Sequence, residues 1–391
     1  MKNPFISLVI ILLFIVSPFV QSDTSDETQP DLFFYLPPII SQIAFYLRWV
    51  LVVILSINTI LNFNKFRINF TFVNKSFFLF YLFPLMYALV TFTDLTRYLF
   101  ILIFIFLVPI SISIEYNKYS SFFNKWFTFC IVFLLAISYL VSFNSITSQV
   151  RFQGVFSNSN SYSISACFWL TILLVEKDKN KFNLLKKVIT LFLLISIFLS
   201  GSRIALLFSV FIILFHFISD IKNLLKIVIA FIIISYFAIN NFNLDFVLDR
   251  FLNVANSAEE SGRKEIWDSA FSYIQYNKMG YGMNAPDELL KTGNVHNCYI
   301  RFLITMGYPF TIAMMIIYFI LICKLLFVKK TRIPKALIGF FIAYAFANSG
   351  EDYFAGLGSS MFIYILILIG ITSSFIVLNQ TNNGFKLNTN L

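Results

Sequence analysis

Apolar runs of about 20 residues, broken by short charged segments, recur along the whole chain and restrict its fold more than any other feature. A run of that length can cross the hydrocarbon of a bilayer, where unpaired backbone N–H and C=O groups are so costly that only helices and closed barrels span it. The runs are continuous rather than alternating, which selects helices. Apolar segments fall at 4–20, 42–63, 77–93, 98–114, 126–143, 161–175, 184–199, 204–219, 227–240, 300–323, 336–348 and 361–379. The expected fold is an all-α polytopic membrane protein of about twelve transmembrane helices. Residues 1–391 form a single integral membrane domain, with one large outer loop at 241–299.

The net charge of +10 would suggest a nucleic-acid partner in a soluble chain, but with 59% hydrophobic and 12% charged residues it resides in loop lysines instead. No nucleic-acid partner is expected. Cys130, Cys167, Cys298 and Cys323 sit in or beside apolar segments without metal-ligand spacing, so neither a metal site nor a disulfide framework is expected.

The loop charges fix an expected orientation. With the N-terminus inside, the inner segments carry Lys2; Lys65, Arg67 and Lys75; Lys118 and Lys125; five lysines from Lys177 to Lys187; Lys222 and Lys226; five cations from Lys324 to Lys335; and Lys386. Only Glu115, Glu176, Asp178 and Asp220 share that side, and reversal would violate the positive-inside rule in nearly every loop. Both termini are then cytoplasmic. The first segment also resembles a signal peptide, with Lys2, an apolar stretch and Val20-Gln21-Ser22, but its cleavage would leave the orientation of the rest unchanged.

On this topology seventeen of twenty lysines lie inside, whereas seven of nine arginines lie outside: Arg48, Arg97, Arg151, Arg203, Arg250, Arg263 and Arg301. Arginine's planar fork binds phosphate oxygens bidentately, while lysine offers a point charge, so the partition points to an outer anion site.

Lysines flank both ends of the run from Leu184 to Asp220, so it must cross an even number of times and reads as a hairpin with Ser200-Gly201-Ser202-Arg203 at its tip. Legs of about 15 residues span roughly 22 Å against about 30 Å of hydrocarbon, placing Arg203 below the outer surface. An arginine at that depth marks a functional position or snorkels to the headgroups. In the outer loop, Ile266, Trp267, Ala270, Phe271 and Ile274 recur at helical spacing, which predicts an amphipathic helix near 262–277 lying on the membrane, with Ser261 as N-cap. Arg263 and Lys264 then occupy a first turn that disfavours cations, an arrangement suited to a bound phosphate or to a solvated pair beside Glu259 and Glu260.

His296 stands at the outer boundary of the tenth segment, where it can exchange a proton near neutral pH, whereas His216 reads as a packing residue. Arg151, Asn158 and Asn160 in the outer string from 150 to 160 are candidates to bind sugar hydroxyls, or ordinary loop residues. Arg250, Asn297 and Arg301 join them as candidate substrate ligands. Glu351 and Asp352, between the last two segments, are the other outer carboxylates able to act as a base or to orient one.

Arg151-x-x-Gly154 to Asn160, Ser200-Gly-Ser-Arg203 before an apolar run, Arg263-x-x-x-Trp267 leading to Gly280-x-Gly282, and His296-Asn297 followed by Gly307 together resemble the O-antigen polymerase and O-antigen ligase superfamily. The resemblance covers about residues 150–310. It implies a C-type glycosyltransferase fold in a bacterial inner membrane, with the large loop periplasmic. It also implies an undecaprenyl-diphosphate-linked oligosaccharide as donor, no cofactor or metal, membrane lipids as surroundings and a chain-length regulator protein as partner. In such a reaction His296 would orient or deprotonate the acceptor hydroxyl, and Arg203 and Arg263 would hold the departing diphosphate. Where the ligase pattern continues with Gly, Thr or Tyr three residues after Gly307, this chain has Phe310, which favours polymerase over ligase. A lipid-linked glycan flippase also needs cations, but in a cavity open to both sides.

Overall fold

The computed structural model describes residues 4–20, 36–92, 95–142, 151–156, 158–175, 184–242, 251, 262–291, 295–327, 333–351 and 360–387. These form α1 (Phe5–Val16), α2 (Pro38–Leu61), α3 (Phe66–Asn69), α4 (Phe72–Thr91), α5 (Leu95–Val141), α6 (Ser159–Leu174) and α7 (Leu184–Leu199). There follow α8 (Arg203–Phe217), α9 (Ile221–Phe242), α10 (Arg263–Tyr276), α11 (Ala285–Leu289), α12 (Cys298–Phe327), α13 (Lys335–Ala347) and α14 (Ser360–Leu387). No strand occurs among the described residues.

Each of the twelve expected apolar segments falls on a helix, two of them on α5, which turns an elbow at Tyr119 (φ −132°, ψ 35°). By length and composition α2, α4, α5, α12 and α14 can cross a membrane, and the stretch from Phe5 to Phe19, α8 and α13 are shorter apolar helices. The chain is thus a polytopic helical membrane protein.

The bundle is built around α14, whose run from Tyr364 to Ile369 is fully buried against α5, α4 and α6. α8 packs along α13, and α12 along α4. α1 is an integral part of this core. Ile10, Leu13 and Phe14 are buried, the Phe14 ring packs at a tilt against Phe127 and Tyr364, and Ser7 donates to buried Glu115, which also pairs with Lys118. A polar chain crosses these apolar walls: Trp169 Nε1 donates to the Tyr364 hydroxyl, and the Tyr364 hydroxyl donates to the Phe14 carbonyl.

The glycines at 280, 282 and 307 have a backbone explanation. α12 is broken at Gly307, whose φ of 74° and ψ of −177° are open only to glycine. The break and the missing N–H of Pro309 release carbonyls that an unbroken helix would use. The segment before α11 takes them: Tyr281 N donates to Ile304 O (2.9 Å), Gly282 N donates to Thr305 O (3.0 Å), and Tyr308 N donates back to Lys278 O (2.9 Å). The two backbones lie so close that a Cβ on Gly280 would sit 2.5 Å from the Thr305 carbonyl oxygen. Three main-chain bonds therefore fasten residues 278–282 to α12.

Above that junction lies a second small core of Ala270, Ile274, Ala285, Val295, Ile300 and Ile304. The helix expected near 262–277 is present as α10, where Ala270 and Ile274 pack against Ile300 and Ile304 of α12, and Phe271 alone of the five predicted apolar positions is largely exposed. Its N-cap is Gly262 at φ 65°; Ser261, predicted for that role, lies outside the described residues.

Candidate functional site

The hairpin tip, the start of α6, the start of α10, the start of α12 and the end of α13 meet at one end of the bundle, and local chemistry aims a polar side chain from each. Asn158 caps α6 by accepting from Asn160 N at 2.7 Å, which sets Asn160 in the first turn. Arg151 then spans two elements: its Nε donates to Ser200 O at the hairpin tip (2.7 Å) and its Nη2 to Asn160 Oδ1 (2.6 Å). Asn160 passes the connection on, its Nδ2 donating to Glu351 Oε1 at 2.8 Å.

Glu351 is the hub. Its Oε1 also receives Arg263 Nη2 (3.2 Å), and its Oε2 lies 3.2 Å from His296 Nδ1. Arg263 is further held by the Gly350 carbonyl (3.4 Å) and lies 3.3 Å from His296 Nδ1. The ends of α12 and α13 are tied beneath this group, where Cys298 N donates to Asn348 O (2.9 Å) and the Tyr299 hydroxyl donates to the Ala345 carbonyl. That is why two residues 55 positions apart, His296 and Glu351, face each other. His296 adopts φ 53°, a left-handed conformation that costs a non-glycine residue about 1 kcal/mol or more and persists where surrounding bonds enforce it.

The imidazole chemistry follows from having two neighbours on one nitrogen. With a proton on Nδ1 the ring donates to Glu351, and Nε2 presents a lone pair able to accept a proton. With the proton on Nε2 instead, Nδ1 accepts from Arg263. The carboxylate thus selects the basic face of the ring, and the guanidinium supplies positive charge beside it. The Arg263–Glu351 pair is about a quarter exposed on the arginine side, so it positions more than it stabilises.

The structure joins Arg151, Asn158, Asn160, Arg263, His296 and Glu351 in one network. Arg203 is the first residue of α8, directly after the tip whose Ser200 carbonyl Arg151 holds, and its neighbour Ile204 packs on Gly350. Arg203 therefore borders the network. Asn297, a candidate substrate ligand, caps α12, its Oδ1 accepting from Tyr299 N (3.0 Å) and Ile300 N (3.1 Å). Arg301 lies in the first turns of α12. Arg48 is buried in α2, where it holds its guanidinium over the rings of Phe45 (5.6 Å) and Trp49 (5.4 Å). Arg250 and Asp352 lie outside the described residues. The carbonyls of Ser200 and Gly350 are site elements that no sequence pattern signals, because only the tertiary fold brings them to the arginines.

Residues 188–315, about a third of the chain, match a family model described as O-antigen ligase. The matched span contains Arg203, Arg263 and His296, together with Gly280, Gly282 and Gly307. Arg151, Asn160 and Glu351 lie beyond it and reach the site through the fold. No curated protein matches the chain significantly.

Proposed function

We propose, from a family match that supports the O-antigen polymerase and ligase superfamily, that this chain is a surface-polysaccharide polymerase. It joins undecaprenyl-diphosphate-linked repeat units on the periplasmic face of a bacterial inner membrane, which it crosses twelve times, and it needs no metal. The observation that carries the reading is the contact of His296 with both Glu351 and Arg263 at the arginine-rich end.

In this reading the acceptor hydroxyl attacks the anomeric carbon of the lipid-linked glycan. Its oxygen forms the new glycosidic bond as the bond from that carbon to the diphosphate oxygen breaks. Nε2 of His296 takes the hydroxyl proton, while Nδ1–H stays on Glu351. The diphosphate leaves with the electron pair and gathers negative charge, which Arg263 and Arg203 stabilise best as it develops. The first turn of α10, which has no side-chain cap, adds amide N–H groups beside Arg263. Asn158 and Asn160 border the sugar, and Arg151 holds the tip in place.

A ligase would use the same donor chemistry with a lipid A-core acceptor, and the printed description of the family keeps that as the second reading. The deciding experiment is the surface-glycan profile of a deletion strain. A single repeat unit on the lipid core establishes a polymerase, and long undecaprenyl-linked chains missing from the core establish a ligase. Loss of the surface glycan with lipid-linked units trapped on the cytoplasmic side would instead identify a flippase.

A further inference from the structure

At the other end of the bundle, the elbow of α5 opens a cavity of about 720 Å³ between the second arm of α5 and the start of α7. It lies far from the network just described, since Lys186 on its wall and Ser200 at the hairpin tip are separated by the length of α7, about 21 Å at 1.5 Å per residue. Its volume falls in the range of small-molecule sites.

The lining is divided by polarity along one helix face. Ser121, Asn124, Lys125 and Thr128 form its polar part. The Tyr116 hydroxyl donates to Asn124 Oδ1 at 2.9 Å, which leaves the amide N–H groups as this side chain's donors to the cavity. Lys186 enters from α7 and is half-buried, so its charge favours an anionic neighbour. One turn further along α5 the wall becomes apolar, with Phe129 and Val132 facing Leu185 across the gap. These three side chains are largely exposed, at 58%, 39% and 55%.

We propose that this cavity binds an anionic phospholipid, its phosphate between Lys125 and Lys186 and one acyl chain along Phe129, Val132 and Leu185. Two cations on separate helices, with hydroxyl and amide donors between them, suit a phosphate ester. The shared chemistry would also accept free phosphate. An inorganic ion, however, leaves the apolar wall uncovered, whereas a lipid fills both parts of the cavity. The bound lipid bridges α5 and α7, which also meet where the Tyr139 hydroxyl donates to Phe192 O (3.1 Å).

The test uses the full chain in nanodiscs of phosphatidylethanolamine and phosphatidylglycerol, followed by native mass spectrometry. The wild type should retain phosphatidylglycerol in preference to phosphatidylethanolamine. Lys125→Gln combined with Lys186→Gln should lower that retention about tenfold or more, while Lys222→Gln with Lys226→Gln, outside the cavity, should leave it unchanged. Equal loss in the two double variants, or no preference in the wild type, overturns the proposal. If the cavity variant does not fold, the wild type still gives an answer. Trp126 stacks edge-on with Phe129 on the cavity wall, with ring centroids 5.8 Å apart. Brominated phosphatidylglycerol in phosphatidylcholine vesicles should quench it more than brominated phosphatidylcholine does, and Trp126→Phe should remove the difference. Persistence of that preference in millimolar inorganic phosphate supports a lipid; its abolition overturns the lipid in favour of the free ion.

Discussion

His296 has its ring fixed by two neighbours of opposite charge, so its role is separable from theirs. His296→Ala should leave binding of purified lipid-linked donor intact and lower single-turnover transfer by about 10²–10⁴-fold. Full activity would remove the histidine from the reaction and move attention to Glu351. Glu351→Gln keeps the shape but weakens the preference for a proton on Nδ1, and it should reduce kcat while leaving KM nearly unchanged. A rise in KM alone would show that Glu351 binds substrate and does not orient the ring. Arg203→Lys keeps the charge but loses the planar fork, and it should lose most activity at normal expression. Near-normal polymer length in that variant would indicate an arginine that only snorkels. At this scale the sequence was informative about residue type and poor about partnership. Arginine where lysine is scarce, and histidine at a segment boundary, are visible in one dimension. That Glu351 is the hub is visible only after α12 and α13 are tied through Cys298 and Asn348.

Among the elements, helix positions were legible because apolar runs of spanning length leave the backbone no other way to satisfy its hydrogen bonds. The orientation of α10 was not. Its stripe of Ala270 and Ile274 packs against Ile300 and Ile304, which sit on a different element and leave no trace in the helix's own periodicity. The junction at the broken helix gives a sharp expectation. Gly307→Ala should cost at least about 1–3 kcal/mol from conformation alone, with backbone overlap added, and should appear as a lower thermal unfolding temperature and lost transfer. An unchanged unfolding temperature would contradict the three main-chain bonds described. α1 offers a second test. Because Phe14 fills the space between Phe127 and Tyr364, a chain lacking residues 1–19 should accumulate poorly, and the mature protein should retain this segment when its N-terminus is determined. Normal accumulation of the shortened chain would mark α1 as a removable leader.

Over the whole molecule the two cation types form different clusters. The bonded arginines gather around Glu351, and Lys118, Lys125 and Lys186 lie about the α5 elbow. Single cysteines at positions 278 and 291 should be labelled by an impermeant reagent from the periplasmic side, and those at 118, 222 and 335 only after the membrane is opened. Labelling of position 222 from outside would reverse the orientation and detach the arginines from the lipid-linked donor.

The fastening of 278–282 to 304–308 is made by peptide groups, which every amino acid carries. Met279 and Tyr308, both exposed, enter this seam through their backbones, the Met279 main chain lying against Gly307 and the Tyr308 N–H donating to the Lys278 carbonyl. A library randomised at 279 and 308 should therefore yield many active members, while one at 280 and 307 should return glycine alone. The scaffold can thus hold its reacting groups in register while the surface around them drifts, a route by which one architecture could come to handle many different sugars.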